Sequence, residues 1–339
     1  MNDLSRLFEQ AHEYLYRSDE ILIVSPCPPD VDSIASCSLI AQYCEFMNIP
    51  CILYCAAPLP PGNSLFNFLP ITSFVQTLPD PVPKHIVVVD YGSFATTKLD
   101  PSKLSESFII GFDHHDEPAR DFPINGLQIV NSDAPATTAV ILHFMHETNT
   151  RPIVEGLKSQ NFFTYVALGI YADTARLTNP KATPAAFDLM NSCIKNGIPW
   201  EQIRDAAKPK MSLSRMKAWS RAFEKVVDWF DEELGMAIFI YEGSYAQMFN
   251  QRHIEALLGP MQELEEANLA VLLLRQGDGN LRVSIRSKNP DIISAADIAR
   301  SLGGGGHPHM AAALLPRVSS EETLWKIQDE VRKILHKQP

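Results

Sequence analysis

The sequence predicts an α/β fold, in which an N-terminal, mostly parallel, doubly wound sheet is followed by a smaller C-terminal α/β domain. In the first half, short β-branched apolar runs alternate with helical patterns, which is typical of parallel sheets. Several of these runs end in acidic residues, at the edge where open α/β sheets bind ligands. The chain has 339 residues, longer than one typical domain, so two domains are expected.

The overall charge is acidic. Lys and Arg number 29 against 40 Asp and Glu, a formal net charge of −11. Long nucleic acid needs a basic footprint, so the composition excludes it as a partner but permits a short anionic ligand. The sequence starts without a signal-peptide pattern, and no run approaches the ~20 apolar residues that span a bilayer. We therefore expect a cytoplasmic protein that does not insert into membranes, and the sequence is compatible with a homodimer.

The first elements follow from apolar spacing. Residues 3–17 carry apolar side chains three and four apart, which predicts an amphipathic helix. Residues 20–25 form a nearly continuous apolar run, typical of a buried parallel strand. Prolines end that strand, and a long helix is predicted from Ser33 to about Met47. The further predicted strands of this domain are 52–56, 85–92, 107–112 and 127–130, and its further helices are 136–147 and 161–172.

Acidic side chains recur where these strands end. Asp30 and Asp32 lie in the turn between the first strand and its helix. One of them could serve only as a helix cap, but two carboxylates exceed what a cap needs. Asp90 ends the strand at 85–92, and the tripeptide Asp-His-His at 113–115 follows the next strand. Because the carboxyl ends of parallel strands meet at one edge of a sheet, we expect these side chains to converge.

A further acid, Asp173, falls near the end of the helix at 161–172, where a negative charge meets the unfavourable pole of the helix dipole. Either a bound cation or an ion pair with Arg176 could compensate it. Oxygen and nitrogen ligands without a thiolate suit Mn²⁺, with Mg²⁺ as the alternative. Two such ions can clamp both oxygens of a phosphoryl displacement. The candidate metal ligands are Asp30, Asp32, Asp90, His114 and Asp173.

The second half begins with a helical, locally basic stretch at about 180–230. Strands are predicted at 236–241, 269–274 and 281–286, and the sequence Gly-Asp-Gly-Asn at 277–280 is a hairpin signal between the last two. One helix is predicted from about Ala295 and a final one at 320–336. The predicted division is a first domain at 1–195, a helical linker at 196–229 and a second domain at 230–339; the family resemblance described below implies that the first is catalytic and the second binds substrate.

Four glycines at 303–306, followed by His307, form the second candidate site. Glycine exposes backbone N–H groups and permits close approach of a phosphate. Arg286 can bind a phosphate through two parallel hydrogen bonds. A glycine run alone is more often a flexible turn, but its position before His307, in a chain with an acidic metal cluster, favours phosphate binding.

Taken in order, these motifs resemble the DHH phosphoesterase superfamily. The resemblance rests on Pro-Asp-Val-Asp-Ser at 29–33, Asp90, Asp-His-His at 113–115 and Gly-Ile-Tyr-Ala-Asp-Thr at 169–174. Ser-Ile-Arg-Ser at 284–287 and the glycine run with His307 and Pro308 resemble its DHHA1 substrate-binding domain. The resemblance covers almost the whole chain, and the layout is similar to the nanoRNase and pAp-phosphatase branch and to the stand-alone cyclic-dinucleotide phosphodiesterases.

The resemblance implies a Mn²⁺-dependent phosphodiesterase or phosphatase that hydrolyses short oligonucleotides, dinucleotides or pAp to 5′-mononucleotides with metal-activated water. Asp30 and Asp90 would bind the first ion. The second would be bound by Asp32, Asp90, His114 and Asp173, with Asp90 bridging the two ions. The catalytic residues would be Asp90 and His115, and His115 would face the phosphate as an electrostatic stabiliser or proton donor. The distal phosphate or nucleotide would be held by Arg286, Gly304, Gly305, Gly306 and His307.

One position departs from the family pattern. The first motif normally opens with a histidine four residues before the first aspartate, and here that position is Pro26. Proline cannot bind a metal, so the first metal site is expected to be weakened unless water or Cys27 fills the gap. This leaves a second reading, a weakly active or inactive nucleotide-binding protein. A third reading, a polyphosphatase or pyrophosphatase, shares the metal motifs but is less consistent with the glycine-rich tail.

Overall fold

The chain forms two compact units, Met1–Lys208 and Pro209–Pro339, each with its own sheet. The computed structural model describes residues 3–58, 64–116, 118–148, 161–208, 211–213, 216–217, 219–220, 223, 230–242 and 255–336. Among these residues, no helix is both long and apolar enough to cross a membrane. Most of the predicted helical linker beyond Lys208 lies outside the described residues, and its earlier part belongs to the first unit.

The sheet of the first unit is six-stranded and entirely parallel, which confirms the predicted fold class. The strand order is β3-β2-β1-β4-β5-β6, so the direction of winding reverses between β1 and β4. Such a reversal leaves a crevice outside the carboxyl ends of the strands, where doubly wound folds bind ligands. The strands are β1 (Ile21–Val24), β2 (Cys51–Tyr54), β3 (Phe74–Val75), β4 (His85–Val89), β5 (Phe108–Asp113) and β6 (Gly126–Val130).

Helices and the 3₁₀ segment Ser64–Phe68 cover one face of this sheet, and the 3₁₀ segment Phe94–Thr97 with neighbouring loops covers the other. The two faces are separated by the period-two alternation of the strands, as Ile23 and Val87 show on the helical side and Leu22 and Val88 on the opposite side. The helices are α1 (Asp3–Tyr16), α2 (Val31–Phe46), α3 (Thr137–Glu147), α4 (Phe162–Asp173), α5 (Pro184–Lys195) and α6 (Trp200–Ala207). The 3₁₀ segments are Ser64–Phe68, Ile71–Ser73, Phe94–Thr97 and Pro101–Lys103.

Helix α2 begins at Val31, two residues earlier than the sequence predicts, because Asp30 caps it. The Asp30 carboxylate accepts a hydrogen bond from the Ser33 amide at 2.8 Å, and the Ser33 hydroxyl accepts one from the Asp30 amide at 2.9 Å. This reciprocal pair is a capping box. The serine read from sequence as the helix start therefore occupies the third helical position.

The second unit has a six-stranded mixed sheet with the order β11-β12-β10-β9-β8-β7, in which only β8 and β9 pair in parallel. The predicted hairpin joins β9 and β10, with Gly279 in the left-handed region at φ 86°. The strands are β7 (Phe230–Asp231), β8 (Met236–Tyr241), β9 (Leu269–Arg275), β10 (Leu281–Ser287), β11 (Gly305–His307) and β12 (Met310–Leu315). The helices are α7 (Leu258–Gln262), α8 (Ala295–Ser301) and α9 (Ser320–His336).

Candidate metal centre

Four of the predicted ligands converge at the carboxyl edge of the first sheet. Asp32, Asp90, His114 and Asp173 each present one ligand atom, and these atoms all lie within 4.8 Å of one another. Asp90 and His114 also form an overlapping group with His115. Asp32, Asp90 and His114 follow β1, β4 and β5 at the point where the strand order reverses, and the end of α4 contributes Asp173. No other such group occurs among the residues that the structure describes.

Asp32 is fully buried in the first turn of α2, at 0% exposure. Its two carboxylate oxygens accept hydrogen bonds from the amides of Thr137 at 2.7 Å and Thr138 at 3.2 Å. These amides open α3, where the first backbone N–H groups have no partner within the helix. Burial, followed by the charge of Asp173, raises the pKa of Asp32 to about 7. This carboxylate is held in position by α3, and the charge of His114 and the hydrogen bond from the Thr137 amide offset only part of the rise in its pKa.

Gly169 makes room for this carboxylate in the middle of α4. A Cβ atom at residue 169 would overlap the Asp32 Oδ1 and Thr138 Oγ1 atoms. A glycine in a helix interior costs roughly 0.5–1 kcal/mol relative to alanine, so the close approach of α2, α3 and α4 explains its presence.

We expect Gly169→Ala to displace Asp32 and to lower divalent-metal affinity by at least about 10-fold, the effect typical of a disturbed support for a metal ligand. Isothermal titration with Mn²⁺ measures this affinity. Gly259→Ala is the matched control, because a Cβ at that helical glycine in the second unit meets no atom within 4 Å. Equal metal affinity in the Gly169 variant and the control would contradict a ligand role for Asp32.

Asp90 follows β4 directly, in a left-handed backbone conformation at φ 52° that is uncommon outside glycine, asparagine and aspartate. Its amide donates to the carbonyl of Phe112 at 2.9 Å, and its Oδ1 accepts from the Thr137 hydroxyl at 3.1 Å. Burial raises the pKa of Asp90 well above the ordinary range, and the charges of Asp32 and Asp30 add to this effect. Asp90 is therefore the central acid of the cluster.

His114 is buried between carboxylates on one side of its ring and the ammonium group of Lys181 on the other. Its Nε2 lies 2.9 Å from Asp173 Oδ2 and 3.6 Å from Asp90 Oδ1. On the other side of the ring, Nδ1 lies 3.0 Å from the Lys181 ammonium, which also donates to the His114 carbonyl at 3.0 Å. Burial lowers the pKa of His114, but the hydrogen bond to Asp173 and the charge of Asp32 raise it overall. Asp173 thus contacts His114, so its charge can be compensated without the ion pair to Arg176 that the sequence offered as an alternative.

Lys181 was not identified from the sequence, because it lies eight residues after Asp173 and outside the motifs. Three consecutive residues, Ala175, Arg176 and Leu177, have left-handed backbone conformations between φ 48° and 66°. The hydroxyl of Thr174 accepts from the Leu177 amide at 3.0 Å and helps to hold this strained turn. The turn redirects the chain from α4 back to the site, so that Lys181 reaches His114.

Asp113 also lacked an assigned role, and the structure gives it one. This buried carboxylate accepts hydrogen bonds from His115 Nδ1 at 2.6 Å, the Gly92 amide at 2.9 Å and the His114 amide at 2.8 Å. Burial raises the pKa of Asp113, but the hydrogen bond to His115 and the two amides lower it overall. Asp113 therefore stays charged and orients the half-exposed imidazole of His115, whose Nε2 is left free of this bond.

Asp30 and Pro26 occupy less favourable positions for the expected first metal. Asp30 is exposed at the N-terminus of α2 and uses one carboxylate oxygen as the helix cap. It contacts Asp90 but does not belong to the four-residue group described above. Pro26 is buried directly after β1 and offers no ligand atom on its side chain. The structure therefore gathers the ligands predicted for the first ion less completely than those predicted for the second.

The predicted substrate residues of the second unit lie on neighbouring strands. Arg286 is on β10 and His307 on β11, and both are in register with Met310 of β12 between them. Packing explains the glycines at 304 and 306, because a Cβ at either position would overlap the backbone of β12. By contrast, Gly305 is exposed, and a Cβ there would meet no atom within 4 Å.

Comparison with known proteins agrees with these motifs. The model of the DHH family N-terminal domain matches residues 20–170, and the model of the DHHA1 domain matches residues 241–337. The chain belongs to the DHH phosphoesterase family. DHH and DHHA1 domains thus correspond to the parallel sheet of the first unit and the mixed sheet of the second.

Two curated DHH relatives are each 22% identical over 245 residues, which is 71% of this chain. One is a probable bifunctional oligoribonuclease and PAP phosphatase NrnA of Streptococcus mutans, of which 73% is covered. The other is the bifunctional oligoribonuclease and PAP phosphatase NrnA of Thermus thermophilus, of which 70% is covered. The chain therefore shares weak but extended homology with oligoribonucleases of this kind.

Solved structures share the fold. An exopolyphosphatase-related protein from Bacteroides fragilis superposes with a TM-score of 0.81 at 14% identity, covering 99% of each chain. RecJ of Thermus thermophilus, solved in complex with Mn²⁺, gives a TM-score of 0.55 at 13% identity, over 97% of this chain and 55% of RecJ. At such low identities these structures support the architecture and not a particular substrate.

Proposed function

We propose that this protein is a metal-dependent phosphodiesterase or phosphatase that hydrolyses short oligonucleotides, dinucleotides or pAp to 5′-mononucleotides. The observation that carries the proposal is the four-residue group of Asp32, Asp90, His114 and Asp173 at the switch point of a DHH domain. The two NrnA relatives, named as oligoribonucleases and PAP phosphatases, favour a nucleotide substrate within this family.

The donor atoms of this group fit a divalent cation. Three carboxylates and one imidazole are collected in a buried volume, where removal from water destabilises unpaired charge. Oxygen ligands with one nitrogen suit Mn²⁺, and Mg²⁺ is the alternative. This group would hold one ion, and Asp30 and Asp90 would hold a second, so that Asp90 would serve both. Bound ions would supply positive charge to the phosphate and activate a water molecule.

His115 is proposed to act on the substrate itself. Its Nδ1 is fixed by Asp113, so its Nε2 can face a phosphate or the leaving oxygen. An imidazole oriented by a carboxylate can hold a proton at Nε2 and donate it to a departing alkoxide, or stabilise charge on a phosphate oxygen. Asp113 is then a positioning residue for the proton donor, as aspartates are in other histidine-based sites.

The second unit is proposed to bind the substrate through Arg286, His307 and the glycines Gly304, Gly305 and Gly306. A guanidinium suits bidentate binding of phosphate. The open position of Gly305 permits backbone approach of a ligand, whereas Gly304 and Gly306 shape the strand that carries it.

The first experiment is a hydrolysis panel of pApA, pAp, cyclic di-AMP and pyrophosphate with Mn²⁺, together with a metal count on the same sample. Turnover of pApA or pAp with two ions per chain is the expected result. Preferential turnover of pyrophosphate would replace the proposal with a pyrophosphatase. Nucleotide binding without turnover, with one ion or none, would support an inactive nucleotide-binding protein.

That inactive alternative has one specific observation in its favour. The first ion would depend on Asp30, which already caps α2, and on a motif position that is occupied by Pro26. A site with fewer ligands binds its ion more weakly, so the chain could keep its nucleotide affinity and lose most of its turnover.

Pro26→His tests this weakness directly. If the missing imidazole limits the first site, we expect the variant to bind Mn²⁺ about 10-fold more tightly and to turn over pApA faster, in line with the size of ligand-shell effects. Titration with Mn²⁺ and initial rates at saturating pApA measure the two effects. Pro26→Ala controls for loss of the proline ring, and an equal response of both variants would show that position 26 does not supply a ligand.

A further inference from the structure

The imidazole of His114 meets different kinds of hydrogen-bond partner at its two nitrogen atoms. At Nε2 the neighbours are carboxylates, with Asp173 Oδ2 at 2.9 Å and Asp90 Oδ1 at 3.6 Å. At Nδ1 the Lys181 ammonium lies at 3.0 Å and the carbonyl oxygen of Ala134 at 3.4 Å. A neutral imidazole carries its proton on only one nitrogen, so these partners decide between two tautomers.

Lys181 favours the tautomer that has its proton on Nε2. An ammonium group can only donate, so at 3.0 Å it requires a lone pair on Nδ1. Nε2 then carries the proton and donates it to Asp173 at 2.9 Å. A charged donor makes the stronger hydrogen bond, whereas the Ala134 carbonyl at 3.4 Å is beyond the usual range for a nitrogen donor. The contacts around the ring therefore place the proton on the nitrogen that faces the carboxylates.

A divalent ion in the four-residue group needs the opposite tautomer. Nε2 of His114 is the nitrogen that faces Asp90 and Asp173, and a metal ion binds a nitrogen lone pair. Histidine ligands usually donate the proton of their other nitrogen to a carboxylate or a backbone carbonyl. The Ala134 carbonyl is positioned as that acceptor for a proton on Nδ1. Lys181 and a metal ion thus favour different tautomers of one ring.

The segment after α4 holds Lys181 in this position. The Asn179 side chain connects this segment to the end of α4, because its Nδ2 donates to the Asp173 carbonyl at 2.7 Å and its Oδ1 accepts from the Lys181 amide at 3.0 Å. The Lys181 ammonium also donates to the His114 carbonyl at 3.0 Å. Two contacts with one residue, together with the support from Asn179, fix the ammonium beside the ring.

We propose that Lys181 is a positioning residue that holds His114 in the tautomer that cannot bind a metal ion through Nε2. This inference rests on the proposed function and deepens it, because a residue outside the family motifs then sets the affinity of the centre for its ion. The apparent affinity falls in proportion to the fraction of molecules in the competent tautomer. A preference equal to one charge-assisted hydrogen bond lowers that fraction to about one tenth or less.

Calorimetric titration of the full-length protein with Mn²⁺ at pH 8 tests the inference without hydrolysis. Lys181→Met keeps most of the side-chain length and removes the ammonium, so we expect it to bind Mn²⁺ at least about 10-fold more tightly than the wild type. Lys181→Arg keeps a charged donor and should retain the wild-type affinity. Lys195→Met is the matched control, because it removes an exposed lysine from the last turn of α5.

The tautomer itself is measured by nuclear magnetic resonance. Long-range ¹H–¹⁵N spectra of protein labelled at histidine, recorded in EDTA at pH 8, distinguish a protonated ring nitrogen from one with a lone pair. The spectrum of His114→Gln identifies the signals of His114. We expect the His114 proton on Nε2 in the wild type and in Lys181→Arg, and a larger population with the proton on Nδ1 in Lys181→Met. The loss of one nearby positive charge does not by itself move the proton.

Three results would overturn this role of Lys181. They are a proton on Nδ1 in the wild type, an unchanged or weaker Mn²⁺ affinity in Lys181→Met, and a rise in affinity without a change of tautomer. The last result would make Lys181 only a nearby positive charge. All of these readouts are independent of turnover. If they agree with the inference but no substrate of the hydrolysis panel is cleaved, the phosphodiesterase proposal fails and the role of Lys181 stands. If pApA is cleaved and Lys181→Met binds Mn²⁺ like the wild type, the reverse holds.

Discussion

Asp90→Asn is expected to abolish metal-dependent turnover while making the metal-free protein more stable. The carboxylate of Asp90 is shared by both proposed ions, so its loss should lower metal affinity by more than the 10- to 100-fold, roughly, that outer-shell changes produce. In the absence of metal, the same carboxylate is buried beside Asp32 and Asp30, and its pKa is raised well above normal. The metal-free fold must either keep this carboxyl protonated or bury its charge, and asparagine, a neutral group of equal size, avoids that cost. The substitution should therefore add about 1–3 kcal/mol to the free energy of unfolding near neutral pH.

Asparagine suits this position for two further reasons. It tolerates the left-handed backbone of residue 90, and its amide oxygen can still accept from the Thr137 hydroxyl. The variant should therefore fold, and its defect should be confined to metal binding. Urea unfolding in EDTA and titration with Mn²⁺ measure the two effects. Asp116→Asn, at an exposed acid that follows the adjacent strand β5, is the control. Wild-type metal affinity in Asp90→Asn would eliminate the bridging role.

The parallel sheet could be predicted because its strands carry local signals. The strands that became β1, β4 and β5 are apolar, β-branched and followed by acids, so both their positions and the convergence of those acids could be anticipated. Strand β3 has only two residues, Phe74 and Val75, and gives no periodic pattern to detect. Its pairing with β2 depends on tertiary contacts.

The glycine-rich segment shows where a local pattern misses a strand. Glycines expose backbone N–H groups, so the pattern predicts phosphate binding, and it predicts neither β11 nor β12. In the structure, Gly305 and His307 belong to a strand that pairs with β12. Close packing of Gly304 and Gly306 on the β12 backbone explains why glycine is compatible with a strand here, and this contact cannot be read from the segment alone.

Several parts of the metal centre depend on contacts between distant parts of the chain. Asp32 is held by amides that lie 105 and 106 residues further along the chain. Its neighbour Asp30 could be a ligand or a cap by sequence, and the capping box became visible only in the structure. Lys181 reaches His114 because of a strained left-handed turn without glycine, which no residue pattern indicates.

The metal-free protein is expected to lose stability as the pH rises from about 4 to about 7, and divalent metal should reverse this loss. Burial raises the pKa of Asp32 to about 7 from an ordinary value of 3.8. The folded state therefore binds more protons than the unfolded state in this window, and the free energy of unfolding falls with increasing pH. A difference of about three units between the folded and unfolded pKa of Asp32 corresponds to roughly 4 kcal/mol of stability. Asp90, whose pKa is raised for the same reason, acts in the same direction.

The other titrating groups of the centre do not cancel this trend. The pKa of His114 is raised, so its contribution to the free energy of unfolding is fully present below about pH 6.5. That contribution is lost as the pH rises through the pKa of the folded state. The pKa of Asp113 is lowered, so its contribution is present above 3.8 and is lost only at more acidic pH. Between pH 4 and 7, the loss of unfolding free energy that Asp32 and Asp90 cause should therefore be the largest effect within the centre.

Metal binding should replace the missing protons, because a divalent ion compensates the charged carboxylates and binds only the folded site. The stabilisation grows as RT ln(1 + [M]/Kd), which is about 2.7 kcal/mol at 100 times Kd. Urea unfolding at pH 5 and pH 7.5, with EDTA or with Mn²⁺, measures the effect. The free energy of unfolding with Mn²⁺ should exceed that in EDTA by a large amount at pH 7.5 and by a small amount at pH 5. In EDTA, Asp32→Asn should make the free energy of unfolding less dependent on pH. A contradicting result would be a metal-free stability that rises from pH 5 to 7.5 in the wild type but not in Asp32→Asn. It would show that Asp32 is charged and already compensated within the protein.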